Sequence, residues 1–240
     1  MTIVDLGPLD NAFTQGGNRL CFSDPRDAGR CIKVLRPDRL PAIKRAKYRF
    51  PRNLKPLHYF DDNWQELRIY QQIERLVGEA AFQLIPRCFG MVDTNHGPGL
   101  VSEMITDSDG RVSLSLKQCV WQQGREPKLM AAVHAFIKRW GELGMPSRNL
   151  LLHNIVVQQQ TDDRLRLVVI DGLGWPDLLP LANWLPSLAR AKAQRKAERL
   201  LAAIDNLINN QKTGKSWGYH GWLEDDQRQL SKASARQSEN

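Results

Sequence analysis

The period of the apolar residues changes midway along this chain, and that change restricts the fold more than any single motif does. In the first third, Asn18 to Ser23 and Arg30 to Leu35 are short runs of large or β-branched residues on either side of Asp24-Pro25-Arg26-Asp27. Runs of that length bounded by turn formers predict two strands of a hairpin. Strands are also expected over Arg87 to Val92 and Leu100 to Met104, joined by Asn95-His96-Gly97-Pro98-Gly99. After that the spacing turns helical. Leu129, Ala132, Val133, Phe136, Ile137 and Trp140 share one helical face between Pro127 and Leu143, and Gly144 ends the helix. A second hairpin is expected from Ile155 to Gln158 and Leu165 to Ile170, turning at Thr161-Asp162-Asp163-Arg164. A last helix runs from about Ser187 to Asn209, with Leu188, Leu200, Leu201, Ile204, Leu207 and Ile208 as its apolar stripe. Strands early and helices late predict an α+β fold, and 240 residues suit one domain of two lobes.

Between the two halves lies a helix starting at Asp61, capped by Asn63 and with Glu66 in its first turn; Leu67, Tyr70, Ile73 and Val77 keep helical spacing up to Gly78. Before it comes a basic stretch. Arg36, Arg39, Lys44, Arg45, Lys47, Arg49, Arg52 and Lys55 face a single acid, Asp38, and Pro37, Pro41, Pro51 and Pro56 interrupt any helix. Much of the net charge of +8 is concentrated here. Such a loop attracts anionic lipid or another polyanion over about 10 Å, and a merely solvated insertion accounts for it equally well. No nucleic-acid-binding signature accompanies it, and Tyr48 and Phe50 are too few for a base-stacking platform.

No apolar run approaches the roughly 20 residues that span a bilayer. Met1 to Leu9 contains Asp5 and lacks the basic and apolar regions of a signal peptide. Cys21, Cys31, Cys88 and Cys119 are scattered without metal spacing, the pattern of reduced thiols in a cytoplasmic protein. The tail after Lys212 is polar and expected to be disordered, with Trp217, Tyr219 and Trp222 able to dock locally.

The element order, β-rich then helical with a closing hairpin, is that of a protein kinase, and phosphate-handling residues fall at the matching places. Lys33 stands in Cys31-Ile32-Lys33-Val34, like the kinase strand whose lysine holds nucleotide phosphates, and Glu66 on the next helix would orient it. Asn154, in Leu152-His153-Asn154-Ile155-Val156, and Asp171, after the apolar run Leu167 to Ile170, are placed as Mg²⁺ ligands. Gly16 and Gly17 form a weak phosphate loop that a tight hairpin turn explains equally well. Glu103 and Met104 sit at the expected hinge, where backbone groups would meet the adenine of ATP. Asp107-Ser108-Asp109-Gly110 begins like a calcium loop but lacks the remainder, and reads as a turn.

Gly17 to Phe22, Asp24-Pro25, Arg30 to Val34, Gln65-Glu66-Leu67, Ile105 to Gly110, Asn154-Ile155 and Val169 to Gly174 together resemble the YrbL family of PhoP regulatory network proteins. The resemblance covers about residues 15–185. It implies a cytoplasmic bacterial protein with a kinase-like fold: an antiparallel β N-lobe over 1–105 with a basic insertion at 36–58, a reduced helical C-lobe over 106–212, and a tail over 213–240.

Departures from a working kinase are plain. Asn149, in Ser147-Arg148-Asn149, occupies the catalytic-base position, and an amide cannot accept the substrate proton. Losing a general base costs about 10²–10⁴-fold in rate. Leu151 replaces the loop lysine, and no Ala-Pro-Glu follows Asp171. His153 is a conceivable substitute base, expected to point away beside a metal ligand. Two functions follow: an ATP- and Mg²⁺-binding pseudokinase or slow phosphotransferase on a non-peptide substrate, or a non-catalytic regulator that binds a polyanion through the basic loop.

Overall fold

The structure is a computed structural model describing residues 2–175, 186–218 and 220–229. Its first part is an antiparallel sheet in the order β1-β2-β3-β5-β4, comprising β1 (Thr14–Gln15), β2 (Arg19–Asp24), β3 (Asp27–Leu35), β4 (Cys88–Thr94) and β5 (Gly97–Glu103). The β2–β3 turn is held by the Asp24 carboxylate, which accepts from the Arg26 backbone N–H at 3.0 Å and from its guanidinium Nε at 2.9 Å. Leu20, Phe22, Ile32, Val34 and Val101 alternate onto one face and pack with Val4 and Leu6. Cys21 and Lys33, paired in register, take the other face.

Helix α2 (Asp62–Val77) crosses that second face. Asp61, rather than the expected Asn63, caps it, accepting from the N–H groups of Asn63 at 2.9 Å and Trp64 at 3.2 Å. Asn63 is instead fully buried and donates to the Lys33 carbonyl at 2.8 Å, tying the first turn of α2 to β3. The buried stripe runs Asn63, Glu66, Tyr70 and Ile73, so half of it is polar. Inside the basic stretch a short helix, α1 (Pro41–Ala46), forms where prolines suggested a loop; Pro41 stands in its first turn, the helical position that tolerates proline best.

The second part holds β6 (Leu114–Ser115), α3 (Leu116–Gln123), α4 (Pro127–Leu143), β7 (Ile155–Gln159), β8 (Leu165–Val169) and α5 (Pro186–Lys212), with a three-stranded antiparallel sheet in the order β6-β7-β8. Trp140, Val133, Leu129, Leu200 and Ile204 lie in one core that also takes Tyr70 and Ile73 of α2, so α2 belongs to both parts. On α5 the buried stripe is Ala193, Ala197, Leu200, Ile204 and Leu207. Leu188, expected on that stripe, is exposed. The Asp107 segment is a turn closed by the Gly110 N–H on the Asp107 carbonyl at 2.8 Å.

Polar composition after Lys212 predicts disorder, yet the described residues of this tail are docked. Gln118 of α3 makes reciprocal bonds with Leu223, its Nε2 donating to the Leu223 carbonyl and its Oε1 accepting from the Leu223 N–H, both at 3.0 Å. Arg228 is buried, its guanidinium donating to the Val112 carbonyl at 2.9 Å and to Asp107 Oδ2 at 2.8 Å. One buried arginine paired with a carboxylate, and Leu223 against an apolar cluster, outweigh the tail's average polarity. Trp217 packs edge-on against Trp121 and Trp222. Tyr219 and residues 230–240 lie outside the described residues.

Candidate functional site

Period-2 alternation puts Arg19 on the same face as Cys21, and Cys21 lies directly across from Lys33. Both cations therefore project toward α2, where Glu66 points back from the second turn. Glu66 Oε1 accepts from Lys33 Nζ at 2.9 Å, and its other oxygen is held by the Arg19 guanidinium. Lys33 also donates to the Ile170 carbonyl at 2.9 Å, and Arg19 reaches Asp171 Oδ2 at 3.1 Å. Two cations and two carboxylates thus close a chain from β2 and β3 through α2 to the end of β8.

Burial is uneven along that chain. The Lys33 and Glu66 side chains are 9% and 10% exposed, whereas Asp171 is 56% exposed. Burial works most strongly against the Lys33 ammonium, but Glu66, followed by Asp171 and Cys21, together outweigh burial and the Arg19 charge and raise the lysine above its ordinary range. Arg19 is raised in the same way, burial being outweighed first by Glu66 and then by Asp171. Asp171 is lowered: burial opposes its charge, and Arg19 and Lys33 more than compensate.

The loop after β8 explains why a glycine follows Asp171. Gly172 has φ 81°, and a Cβ there would stand 2.5 Å from the Asn149 carbonyl oxygen and 3.0 Å from the Asn154 side chain. The Gly172 carbonyl accepts from the Arg148 N–H at 2.8 Å, and the Ile170 N–H donates to the Asn154 carbonyl at 2.8 Å. The segments bearing Asn149, Asn154 and Asp171 are therefore stitched together by backbone bonds.

Six residues singled out in the sequence, Gly16, Gly17, Lys33, Glu66, Asn154 and Asp171, line one open cleft of about 480 Å³. Asn149 is exposed beside the Asp171-Gly172 loop and is not on the cleft wall. Glu103 and Met104 are also off the wall. Their N–H groups are engaged, Glu103 donating to the Arg87 carbonyl and Met104 to the Gly29 carbonyl, both at 2.8 Å. His153, expected to point away, lines the cleft, and burial followed by the nearby His220 and Lys117 lowers its pKa.

Arg19, Arg148, His220 and Gly221 are among the wall residues that were not anticipated. Arg19 had a signal, since alternation from a strand holding Lys33's partner places it on the same face. Arg148, His220 and Gly221 had none, because a loop and a chain terminus bring them there. Gly221, at φ 92°, packs so closely that a Cβ would lie 2.5 Å from His153 Cβ, and its carbonyl accepts from Ser115 Oγ. Lys117 Nζ donates to the His220 carbonyl at 2.9 Å. Past this point Leu223 packs against a small apolar cluster of Phe13, Cys31, Met104 and Val112, with Cys21 beside it. The C-terminal segment therefore supplies His220 and Gly221 to the cleft wall and packs Leu223 on a neighbouring apolar cluster.

Among the described residues no group of three or more His, Cys, Asp or Glu side chains gathers around a point. Asp171 and Asn154, adjacent across Gly172, supply two oxygen donors, which suit a hard cation that keeps several waters.

A second cavity of about 510 Å³ opens beside the first and shares Asn18, Asp62, Gln65 and Arg148 with it. Its remaining wall comes from the basic stretch, including Lys44, Lys47, Arg52 and Lys55 with Tyr48 and Tyr59.

No described helix is long and apolar enough to cross a membrane. Residues 9–205 match the family model of the PhoP regulatory network protein YrbL. The chain is 27% identical over 195 residues to the YrbL proteins of Escherichia coli (strain K12) and Shigella flexneri, covering 78% of this chain and 81% of each relative. A match spanning the sheet, α2, the stitched loops and most of α5 takes in the cleft apart from its wall at His220 and Gly221, and the chain belongs to the YrbL family of PhoP regulatory network proteins.

Proposed function

We propose that the cleft binds ATP with Mg²⁺ in a protein-kinase-like, two-lobed arrangement, and that the protein acts as a pseudokinase or as a slow phosphotransferase on a non-peptide substrate. The observation that carries this reading is the Lys33–Glu66 ion pair at 2.9 Å, formed between residues 33 apart in sequence and sharing a cleft with Asn154 and Asp171. A general ion pair needs no such company. A phosphate site does: a cation on a strand, a carboxylate that fixes it, and oxygen donors facing it. Asn154 and Asp171 would hold the metal, which when bound neutralises charge on the nucleotide phosphates. Lys33 would hold the phosphates, with Glu66 keeping its ammonium oriented, and the turn at Gly16-Gly17 lets backbone approach closely.

The absence of a carboxylate at Asn149 supports slow or absent turnover. Positioning and electrostatic stabilisation carry most of phosphoryl transfer, so residual hydrolysis of ATP is expected and should vanish in Asp171→Ala. Asn149→Asp should raise turnover at least several-fold; ordinary kinase rates in the parent protein, unchanged by Asn149→Asp, would refute the assignment of this loop. The second reading, a regulator that binds a polyanion through residues 36–55, is favoured by the cationic cavity beside the cleft.

A thermal-shift series with ATP and ADP, each with and without Mg²⁺, tests the main reading. A ligand at a hundredfold excess over Kd stabilises the folded state by about 2.7 kcal/mol, and the shift should require the metal. A melting temperature unmoved by millimolar Mg·ATP sinks the proposal.

A further inference from the structure

Residues 40–59 hold seven of the fifteen exposed large apolar side chains found among the described residues, a concentration that a polyanion-binding loop does not need. Phe50 is 79% and Leu54 71% exposed, and Leu40, Ile43 and Leu57 are exposed around them in sequence. They alternate with cations. Among the described residues Arg36, Arg39 and Lys44 are the members of this stretch that meet a carboxylate, on Asp38 and Asp62. Arg52 and Lys55 lie instead over the faces of Tyr48 and Tyr59, at 4.1 Å and 5.2 Å.

Large apolar side chains in water and cations without carboxylate partners rarely share one segment by chance. Each alone has a bland explanation; together they match one surface, an anionic bilayer, whose headgroups take the cations and whose acyl boundary takes the rings and leucines. A soluble polyanion would satisfy the lysines and arginines and leave Phe50 and Leu54 in water.

The stretch is also anchored to the cleft. Phe60 is buried, with the Tyr48 ring tilted against it at 5.5 Å between centroids; the His58 ring lies 4.3 Å from that of Trp64 of α2; and Lys44 pairs with Asp62 at the start of that helix. Asn18, Gln65 and Arg148 line both the cationic cavity and the cleft.

We infer that residues 36–60 are a membrane-docking surface for anionic phospholipid, with the cationic cavity receiving a headgroup next to the cleft. This sharpens the polyanion reading to a lipid surface, and it stands whether or not the cleft binds nucleotide.

The test is co-sedimentation of the full chain with vesicles of phosphatidylcholine alone or with one-third phosphatidylglycerol. Binding is expected to the anionic vesicles only. The pair Phe50→Ser with Leu54→Ser should weaken it about tenfold, as should Lys47→Gln with Arg49→Gln and Arg52→Gln. All five positions are outside the packed core, and unchanged melting temperatures would confirm that the variants fold. No binding to anionic vesicles overturns the inference. So does binding that ignores the Phe50/Leu54 change and is matched by soluble polyphosphate, which would mean a purely electrostatic polyanion site. A dimer in light scattering that dissociates on Phe50→Ser would assign the patch to a second copy of this chain, which also overturns it. The nucleotide thermal shift, measured without lipid, reports on the cleft separately.

Discussion

The cleft and the basic stretch are both rich in cations, and the two regions treat them in opposite ways. In the cleft, Arg19 and Lys33 are about nine-tenths buried and share Glu66. In residues 36–55, five of the eight cations are exposed, and the half-buried Arg36, Arg39 and Lys44 pair with Asp38 and Asp62. A buried cation without a partner costs several kcal/mol, so the cleft arrangement must be closed and specific. An exposed cation costs almost nothing unpaired, so the stretch can hold its charge ready for something outside the chain. Charge count therefore says little about role; solvent access decides it.

The largest expected effect breaks the buried side of this comparison. Glu66→Ala leaves two buried cations without their shared carboxylate and should cost about 3–5 kcal/mol in chemical denaturation. Neutralising Arg45, Lys47 or Arg49 singly should stay within about 0.5 kcal/mol. Comparable losses at both places would show that the cleft cluster is no more than a surface pair.

Next in size is the C-terminal wall. Arg228→Ala removes a buried guanidinium and leaves Asp107, which also accepts from Ser113 Oγ at 2.6 Å, without its charge partner. A loss of about 2–3 kcal/mol is expected, with faster hydrogen exchange across residues 216–228. Slow exchange unchanged by Arg228→Ala would mean that the segment is held elsewhere.

The smallest effect concerns pH. Asp171 has a lowered folded pKa, so its contribution is present above the ordinary carboxylate range near pH 4 and is lost as pH falls through the lower folded value. With its side chain half exposed, that contribution is at most about 1 kcal/mol. Asp171→Asn should flatten the acid limb of a urea-midpoint series between pH 7 and pH 3 while leaving the neutral limb nearly level. An acid limb as steep as the parent's would mean that other carboxylates carry it.

Much of the framework was legible. The Pro127–Leu143 helix was predicted at its observed ends, because Pro127 and Gly144 punctuate an uninterrupted apolar period. The two hairpins were placed to within a few residues by Asp24-Pro25 and by the turn before Leu165. Of the cleft, Lys33, Glu66, Asn154 and Asp171 could be chosen because each occupies a recognisable position in a strand, a helix start or a strand end. Arg19 was missed although strand alternation pointed to it. Helix α3 was missed because Leu116–Gln123 is half glutamine and lysine by composition and gains its helicity from the Ser115 cap and from packing.

By itself the sequence determined the order of strands and helices, since local period, turn residues and caps act within a few residues of one another. It also determined which side chains carry charge. Which of those charges would be buried, and against what, was decided only by the tertiary structure. The Arg19–Glu66–Lys33 cluster joins residues up to 47 apart, and Arg228 meets Asp107 across 121. Desolvation depends on everything packed around a group at once, and neither composition nor period records that sum.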